Sequence, residues 1–176
     1  MPPPPADDAA VEAVLLASRS LIAIATQSLG PAAEETTIAQ YRTLVVLASR
    51  GPQRTMDLAG ALGVSPSTAV RMCDRLVRKG LIRRTRSRTD RREVQISITA
   101  PGREVVDQAT ARRRSLIADV LGRLSPAEQA AAAASLAAFS AAAGEVPDSE
   151  WPVESGAQLT DEQPPGRADI TSQVQA

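Results

Sequence analysis

Residues 54–98 read RTMDLAGALGVSPSTAVRMCDRLVRKGLIRRTRSRTDRREVQISI, and this stretch decides the fold. Between Arg71 and Arg92 it holds ten basic residues and two acids, a local net charge of +8 in a chain whose net charge is zero. Half of the twenty basic residues therefore lie in 22 positions. Such a concentration of positive charge predicts a surface that binds phosphate groups.

The same stretch contains clear signals for helix ends. Gly63 supplies a turn, Ser65 is a good N-cap and Pro66 takes the first helical position, where its missing N–H costs nothing. Gly80 is the residue expected just past a helix C-terminus. These signals predict two short helices, over 56–62 and 66–79.

After the second helix, the pattern changes from helical to extended. Val94, Ile96 and Ile98 alternate with polar residues, the period of a half-buried strand. Two strands over 82–87 and 93–99, joined by a turn over 88–92, form a basic hairpin. A helix pair followed by such a hairpin predicts a winged helix–turn–helix.

The rest of the chain is read as mostly helical, with further helices over 8–29, 37–49, 101–124 and 126–143. The fold class is therefore mainly α with a small β-hairpin wing. We predict five segments: a disordered proline-rich N-terminus at 1–6, an N-terminal dimerisation helix at 7–36, the winged domain at 37–99, C-terminal dimerisation helices at 100–144 and a disordered acidic tail at 145–176. Trp151, in that tail, is expected to be exposed, with a docking anchor as the alternative.

The helices outside the winged domain have more apolar surface than that domain could cover. Unpaired, they would leave a large apolar patch, which marks an interface. We therefore predict a homodimer; a monomeric helical bundle is the alternative. The basic run Arg112–Arg114 is expected to be solvated, or to pair with acids of the other subunit; added phosphate contacts are the alternative.

In the helix over 66–79, one side is apolar and packs inward, and the other carries hydroxyls and arginines. Helix N-terminal amides and small hydroxyls suit phosphates, and an arginine can read guanine. The alternative is a solvated helix face beside a solubilising charge run. The candidate DNA-binding residues are Ser65, Pro66, Ser67, Thr68, Val70, Arg71, Arg75, Arg84, Arg86, Ser87, Arg88, Asp90, Arg91 and Arg92.

The segments LGVSPSTAVRMCDRLVRKGLIRR (62–84) and SRTDRREVQISITAPG (87–102) resemble the core of the MarR family of bacterial transcription factors. The resemblance extends from Tyr41 to about Leu124. Its most specific parts are Ser67–Thr68, Asp74–Leu76, Gly80–Ile82, Asp90–Arg92 and Ile98–Thr99 with Gly102. The proline-rich start and the acidic tail depart from that core.

The resemblance implies an obligate homodimer with interlocking terminal helices. It also implies one winged domain per subunit, each reading half of a palindromic operator in double-stranded DNA, and release by a small-molecule ligand. Arg91 would then be the wing-tip residue inserted in the minor groove, and Asp90 would brace the wing from within.

Catalysis has little support in this sequence. Histidine is absent, and the single cysteine cannot form the usual zinc sites. Cys73 is expected to be a packed thiol, with a redox switch as the alternative.

No cofactor or metal is predicted, and a cytoplasmic location is expected. Because Glu12 and Arg19 interrupt the first helix, no membrane span is expected either.

Two other functions remain open from sequence alone. One is an architectural DNA-binding protein that does not respond to a ligand. The other is a winged domain used only for contacts with other proteins, which would not need the unbalanced charge of +8.

Overall fold

The computed structural model describes residues 7–30, 36–86 and 94–152. Within them lie six α-helices and three short strands. In chain order these are α1 (Asp8–Ser28), α2 (Ile38–Arg50), β1 (Gln53–Arg54), α3 (Thr55–Leu62), α4 (Pro66–Arg78), β2 (Ile82–Arg86), β3 (Val94–Ile98), α5 (Ala100–Leu121) and α6 (Pro126–Ala142). The predicted fold class, mainly helical with a small winged sheet, is confirmed.

The two helices of the helix-turn-helix begin and end close to where the local sequence signals predicted. Gly63 closes α3 in the left-handed conformation, with φ of +63°. The Ser65 hydroxyl accepts a hydrogen bond from the Thr68 N–H at 3.3 Å, and Pro66 opens α4. Gly80 follows α4 with φ of +69°. Glycine tolerates these backbone angles, which other residues seldom adopt.

The wing belongs to a three-stranded antiparallel sheet in the order β1-β3-β2. β2 pairs with β3 over its whole length, from Ile82 opposite Ile98 to Arg86 opposite Val94. β1 was not predicted. With only two residues, it shows no alternation of apolar and polar side chains in the sequence. It is a strand because it pairs with β3, where Gln53 lies opposite Ile96.

The buried core lies mostly within the winged domain, centres on α2 and also includes Leu29, Val106 and Ala109 from the flanking segments. Leu44, Leu58, Leu76 and Ile96 are fully buried there. α5 begins against this core: a Cβ on Gly102 would lie 2.1 Å from the carbonyl oxygen of Leu81. The long helix is therefore seated on the winged domain by a contact that only glycine permits.

α1 and α6 leave much of their apolar surface uncovered. Leu16 and Ile22 on α1 are 65% and 62% exposed, and Phe139 on α6 is 54% exposed. By length and composition alone, α1 could cross a membrane: its most apolar window has a mean hydropathy of 1.6 and none of that window is buried. Glu12 and Arg19 therefore do not exclude a span by composition. A helix that packs against a second protein chain has the same properties.

Two sequence expectations about tertiary contacts are wrong. Trp151 is not simply exposed: it packs against the buried core, and its indole N–H donates to the Val146 carbonyl at 3.0 Å. Within Arg112–Arg114, the first two arginines are not solvated, because both donate to the end of α1. Both expectations considered charge and composition, and missed partners that are distant in sequence.

Candidate nucleic-acid interface

Helix α4 has the two faces that its sequence predicts. Ala69, Cys73 and Leu76 are fully buried and pack toward the core. The opposite face exposes Ser67, Val70, Arg71 and Arg75. α4 is therefore a surface helix with one polar, basic side open to a partner.

The first turn of α4 gathers three hydroxyl groups. The Ser65 Oγ lies 3.1 Å from the Ser67 Oγ and 2.9 Å from the Thr68 Oγ1. Arg71 donates to the Thr68 hydroxyl at 3.4 Å, so its guanidinium leans toward the helix N-terminus. Backbone amides, hydroxyls and a guanidinium thus converge at one end of the helix, an arrangement suited to an anionic partner.

The hairpin is joined to α4 by an ion pair. Arg84 on β2 donates to the Asp74 carboxylate on α4 at 2.6 Å. Both side chains are 41% exposed, so the pair lies at the surface between helix and wing. The resemblance to the MarR family implied that Asp90 braces the wing from within, and Asp90 lies outside the described residues. Among the described residues, Asp74 has that role.

Strand β2 carries the basic charge of the described part of the wing. Arg83, Arg84 and Arg86 are all exposed along it. The other wing residues predicted to bind DNA are Ser87, Arg88, Asp90, Arg91 and Arg92, and they lie outside the described residues. Their contribution stays a prediction.

Helix α2 also borders this face, which sequence reasoning missed. A shallow cavity of about 400 Å³ separates the start of α2 from α4, with Thr37, Gln40, Thr68, Arg71 and Arg75 in its lining. The capping box of Thr37 and Gln40 at the start of α2 was the available signal, because it places a helix N-terminus there.

Cys73 lies beneath this surface. Burial raises the pKa of its thiol above the ordinary value of 9.0, and the nearby Arg84 guanidinium only partly opposes that effect. A thiol of this kind is poorly ionised at neutral pH and so a weak nucleophile. Across residues 7–30, 36–86 and 94–152, no cluster of three or more potential metal ligands occurs.

Together, the helix pair, the sheet and the exposed basic face define a winged helix–turn–helix protein. The model of the MarR family matches residues 36–94, from two residues before α2 to the first residue of β3. The chain belongs to the MarR family. The MarR family consists of transcription regulators, not enzymes.

Comparison with individual proteins agrees with this assignment. The HTH-type transcriptional repressor MdtR of Bacillus subtilis is 34% identical over 97 residues, which is 55% of this chain and 63% of MdtR. The matched region thus spans less than two thirds of that relative. The crystal structure of Rv1404 from Mycobacterium tuberculosis is 42% identical, with a TM-score of 0.75, over 82% of this chain and 99% of that protein.

The same fold occurs in more distant proteins. Streptococcus pneumoniae FabT, whose crystal structure is a complex with DNA, has a TM-score of 0.62 at 21% identity. The match covers 78% of this chain and 98% of FabT. At this identity the comparison supports the fold.

Proposed function

We propose that this protein is a sequence-specific, DNA-binding transcriptional repressor that acts as a homodimer. The observation that carries the proposal is the exposed face of α4, where hydroxyls and Arg71 converge beside the basic strand β2. The DNA in the FabT complex and the repressor activity in the name of MdtR are consistent with it.

In this proposal, α4 enters the major groove. The hydroxyls of Ser67 and Thr68 and the amides of the first turn bind phosphates, and Arg71 reads a guanine through its O6 and N7 atoms. Arg84 and Arg86 on β2 bind the flanking phosphates. Phosphate contacts fix the position of the protein, whereas base contacts select the sequence.

The homodimer is proposed from the uncovered apolar surface of α1 and α6. Leu16, Ile22 and Phe139 are each more than half exposed, and a partner subunit would remove them from water. Two winged domains related by a two-fold axis would read an inverted repeat. A soluble, cytoplasmic dimer would also account for the apolar composition of α1.

A ligand that relieves repression is part of the proposal. A cavity of about 720 Å³ lies between α2, α5, α6 and the C-terminal segment, with Tyr41, Arg113 and Trp151 among its lining residues. This volume falls in the range of small-molecule sites. Because the cavity joins the winged domain to a helix of the proposed dimer interface, a molecule bound there would bias their relative orientation.

Selection of genomic fragments by the purified full chain, followed by footprinting, tests the proposal. We expect an inverted repeat whose half-sites lie roughly 10 base pairs apart, bound about 10³-fold more tightly than random duplex. A single asymmetric site would contradict the dimeric reading. Equal affinity for all duplexes would indicate an architectural protein, and no binding would favour a protein-interaction domain.

A further inference from the structure

We propose that Arg112 and Arg113 form a joint that sets the orientation of the winged domain relative to α1. They are positioning residues, and their effect on DNA would be indirect. The proposal rests on the proposed function only for its consequence in DNA binding. Its structural part concerns a single chain.

Arg112 caps the C-terminus of α1. Its Nε donates to the Ser28 carbonyl at 2.7 Å and its Nη2 donates to the Leu29 carbonyl at 3.1 Å. The last carbonyls of a helix lack partners within the helix and carry partial negative charge, so a guanidinium suits them well. Gly30 permits this approach, since a Cβ there would lie 3.1 Å from the Arg112 Nε.

Arg113 connects the same helix end to the winged domain. Its Nε and Nη2 both donate to the Ser28 hydroxyl at 3.3 Å, and Ser28 is fully buried. The guanidinium carbon lies 5.1 Å from the centre of the Tyr41 ring, a distance that allows a cation–π contact. Tyr41 is on α2 and only 4% exposed, so this ring is fixed within the core.

Three helices therefore meet at two adjacent side chains of α5. α1 is held by its terminal carbonyls, α2 by the ring of Tyr41, and α5 is seated on the winged domain at Gly102. The described remainder of α1 is largely exposed, so this end is where its direction is determined. Because an α-helix rises about 1.5 Å per residue, tilting α1 by about 10° about Ser28 would move residue 10 by about 5 Å.

A change in the direction of α1 would alter the geometry of a dimer that uses this helix. If α1 forms part of the dimer interface, its angle to the winged domain determines how far apart the two α4 helices lie. A loosened joint would then bind operators with altered half-site spacing more readily. Loss of folding would instead weaken binding at every spacing.

Distance measurement by pulsed electron paramagnetic resonance tests the joint. Spin labels at Ala10→Cys on α1 and Gly60→Cys on α3 report the orientation within one chain, in a Cys73→Ala background. Labelled protein is diluted with unlabelled protein, so that intramolecular distances dominate. Gly60 is a suitable site because a Cβ there meets no atom within 4 Å.

We expect Arg112→Gln with Arg113→Gln to broaden the label distance distribution or shift it by several ångströms. Arg114→Gln is the matched control: it removes the same charge from the next residue, which is exposed. If the double variant unfolds, Arg112→Lys and Arg113→Lys retain the charge but lose the planar fork and should give a smaller shift. An unchanged distribution in folded variants, or an equal change in Arg114→Gln, would overturn the proposal.

Binding to operators with half-sites moved by one or two base pairs gives the second readout. We expect the preference of the double variant for the native spacing to fall about tenfold, with little change in Arg114→Gln. If the label distances shift but even the unmodified protein binds no DNA, the joint stands and the proposed function fails. If the unmodified protein binds its operator but neither readout changes in the variants, the joint fails alone.

Discussion

The guanidinium of Arg84 lies 2.6 Å from the carboxylate of Asp74, and this contact joins the wing to α4. Since both side chains are 41% exposed, solvent screens the pair and its contribution to folding is small. Its geometric effect is larger. It places one arginine of β2 against α4 and introduces a negative charge into a basic surface.

Asp74→Asn should therefore reduce DNA selectivity more than stability. We expect the free energy of unfolding to change by less than about 1 kcal/mol. Removing the acid strengthens the attraction of this surface to any duplex. Arg84, without its partner, no longer holds the wing against α4. The ratio of operator to random affinity should fall about tenfold, or about 1.4 kcal/mol.

Asp57→Asn provides the control for this variant. Asp57 also accepts a hydrogen bond from an arginine of the winged domain, Arg54, at 2.8 Å, but within β1 and α3. It should leave selectivity nearly unchanged. Equal losses in the two variants, measured by titration with both duplexes, would show that charge alone matters.

Leu16→Glu on α1 should dissociate the proposed dimer. The side chain is 65% exposed in the single chain, so a carboxylate there costs little until a partner covers it. Burying an unpaired carboxylate in an apolar interface costs several kcal/mol. Sedimentation should show a folded monomer with lower operator affinity, whereas Gln27→Glu on the same helix should remain dimeric. A dimeric Leu16→Glu protein would place the interface elsewhere.

The C-terminal segment up to Pro152 should stabilise the fold. Glu145 forms a two-point ion pair with Arg42, and Trp151 packs against the core. Truncation after Gly144 should lower the free energy of unfolding by about 1–2 kcal/mol through lost apolar burial. Truncation after Pro152 should leave it nearly unchanged.

Fluorescence provides an independent measurement of the same contact, because Trp151 is the only tryptophan. Its emission should shift to longer wavelength if the segment detaches. Identical unfolding curves for the full chain and both truncations would contradict a stabilising role.

Elements with local signals were predictable from the sequence. Ser65, Pro66 and Gly80 act on their own neighbours, so the limits of α4 followed from side-chain chemistry alone. The buried face of α4 followed from its period.

Contacts between distant segments were not predictable in this way. Arg112 reaches a carbonyl 84 residues earlier, and a run of arginines gives no sign of such a partner. Trp151 lies in an acidic segment whose composition predicts solvation. In both cases tertiary packing overrides the local pattern.

Cys73 should make the protein less stable in alkaline solution. Burial raises the pKa of its thiol above 9.0, so the folded state holds the proton more tightly than the unfolded state. This contribution to stability is complete below pH 9 and is lost as the pH rises through the folded pKa. Unfolding curves between pH 8 and 10.5 should show a steeper decline for the unmodified protein than for Cys73→Ala. Parallel declines would show that the thiol stays protonated or that other groups dominate.

Arg71 and Arg86 should differ in how they contribute to DNA binding. Arg71 lies on the exposed face of α4, so Arg71→Ala should cost roughly 1–3 kcal/mol per half-site on operator and much less on random duplex. Arg86 lies on the exposed strand β2, so Arg86→Ala should weaken both duplexes alike. Losing one phosphate contact per subunit should make the slope of log affinity against log salt shallower by about 0.9 for each subunit.

Arg123→Ala, which removes an exposed arginine outside the winged domain, should change neither selectivity nor slope. Binding isotherms at several salt concentrations measure both quantities. If Arg71→Ala and Arg86→Ala weakened the two duplexes equally, the division between a reading helix and an anchoring strand would be wrong.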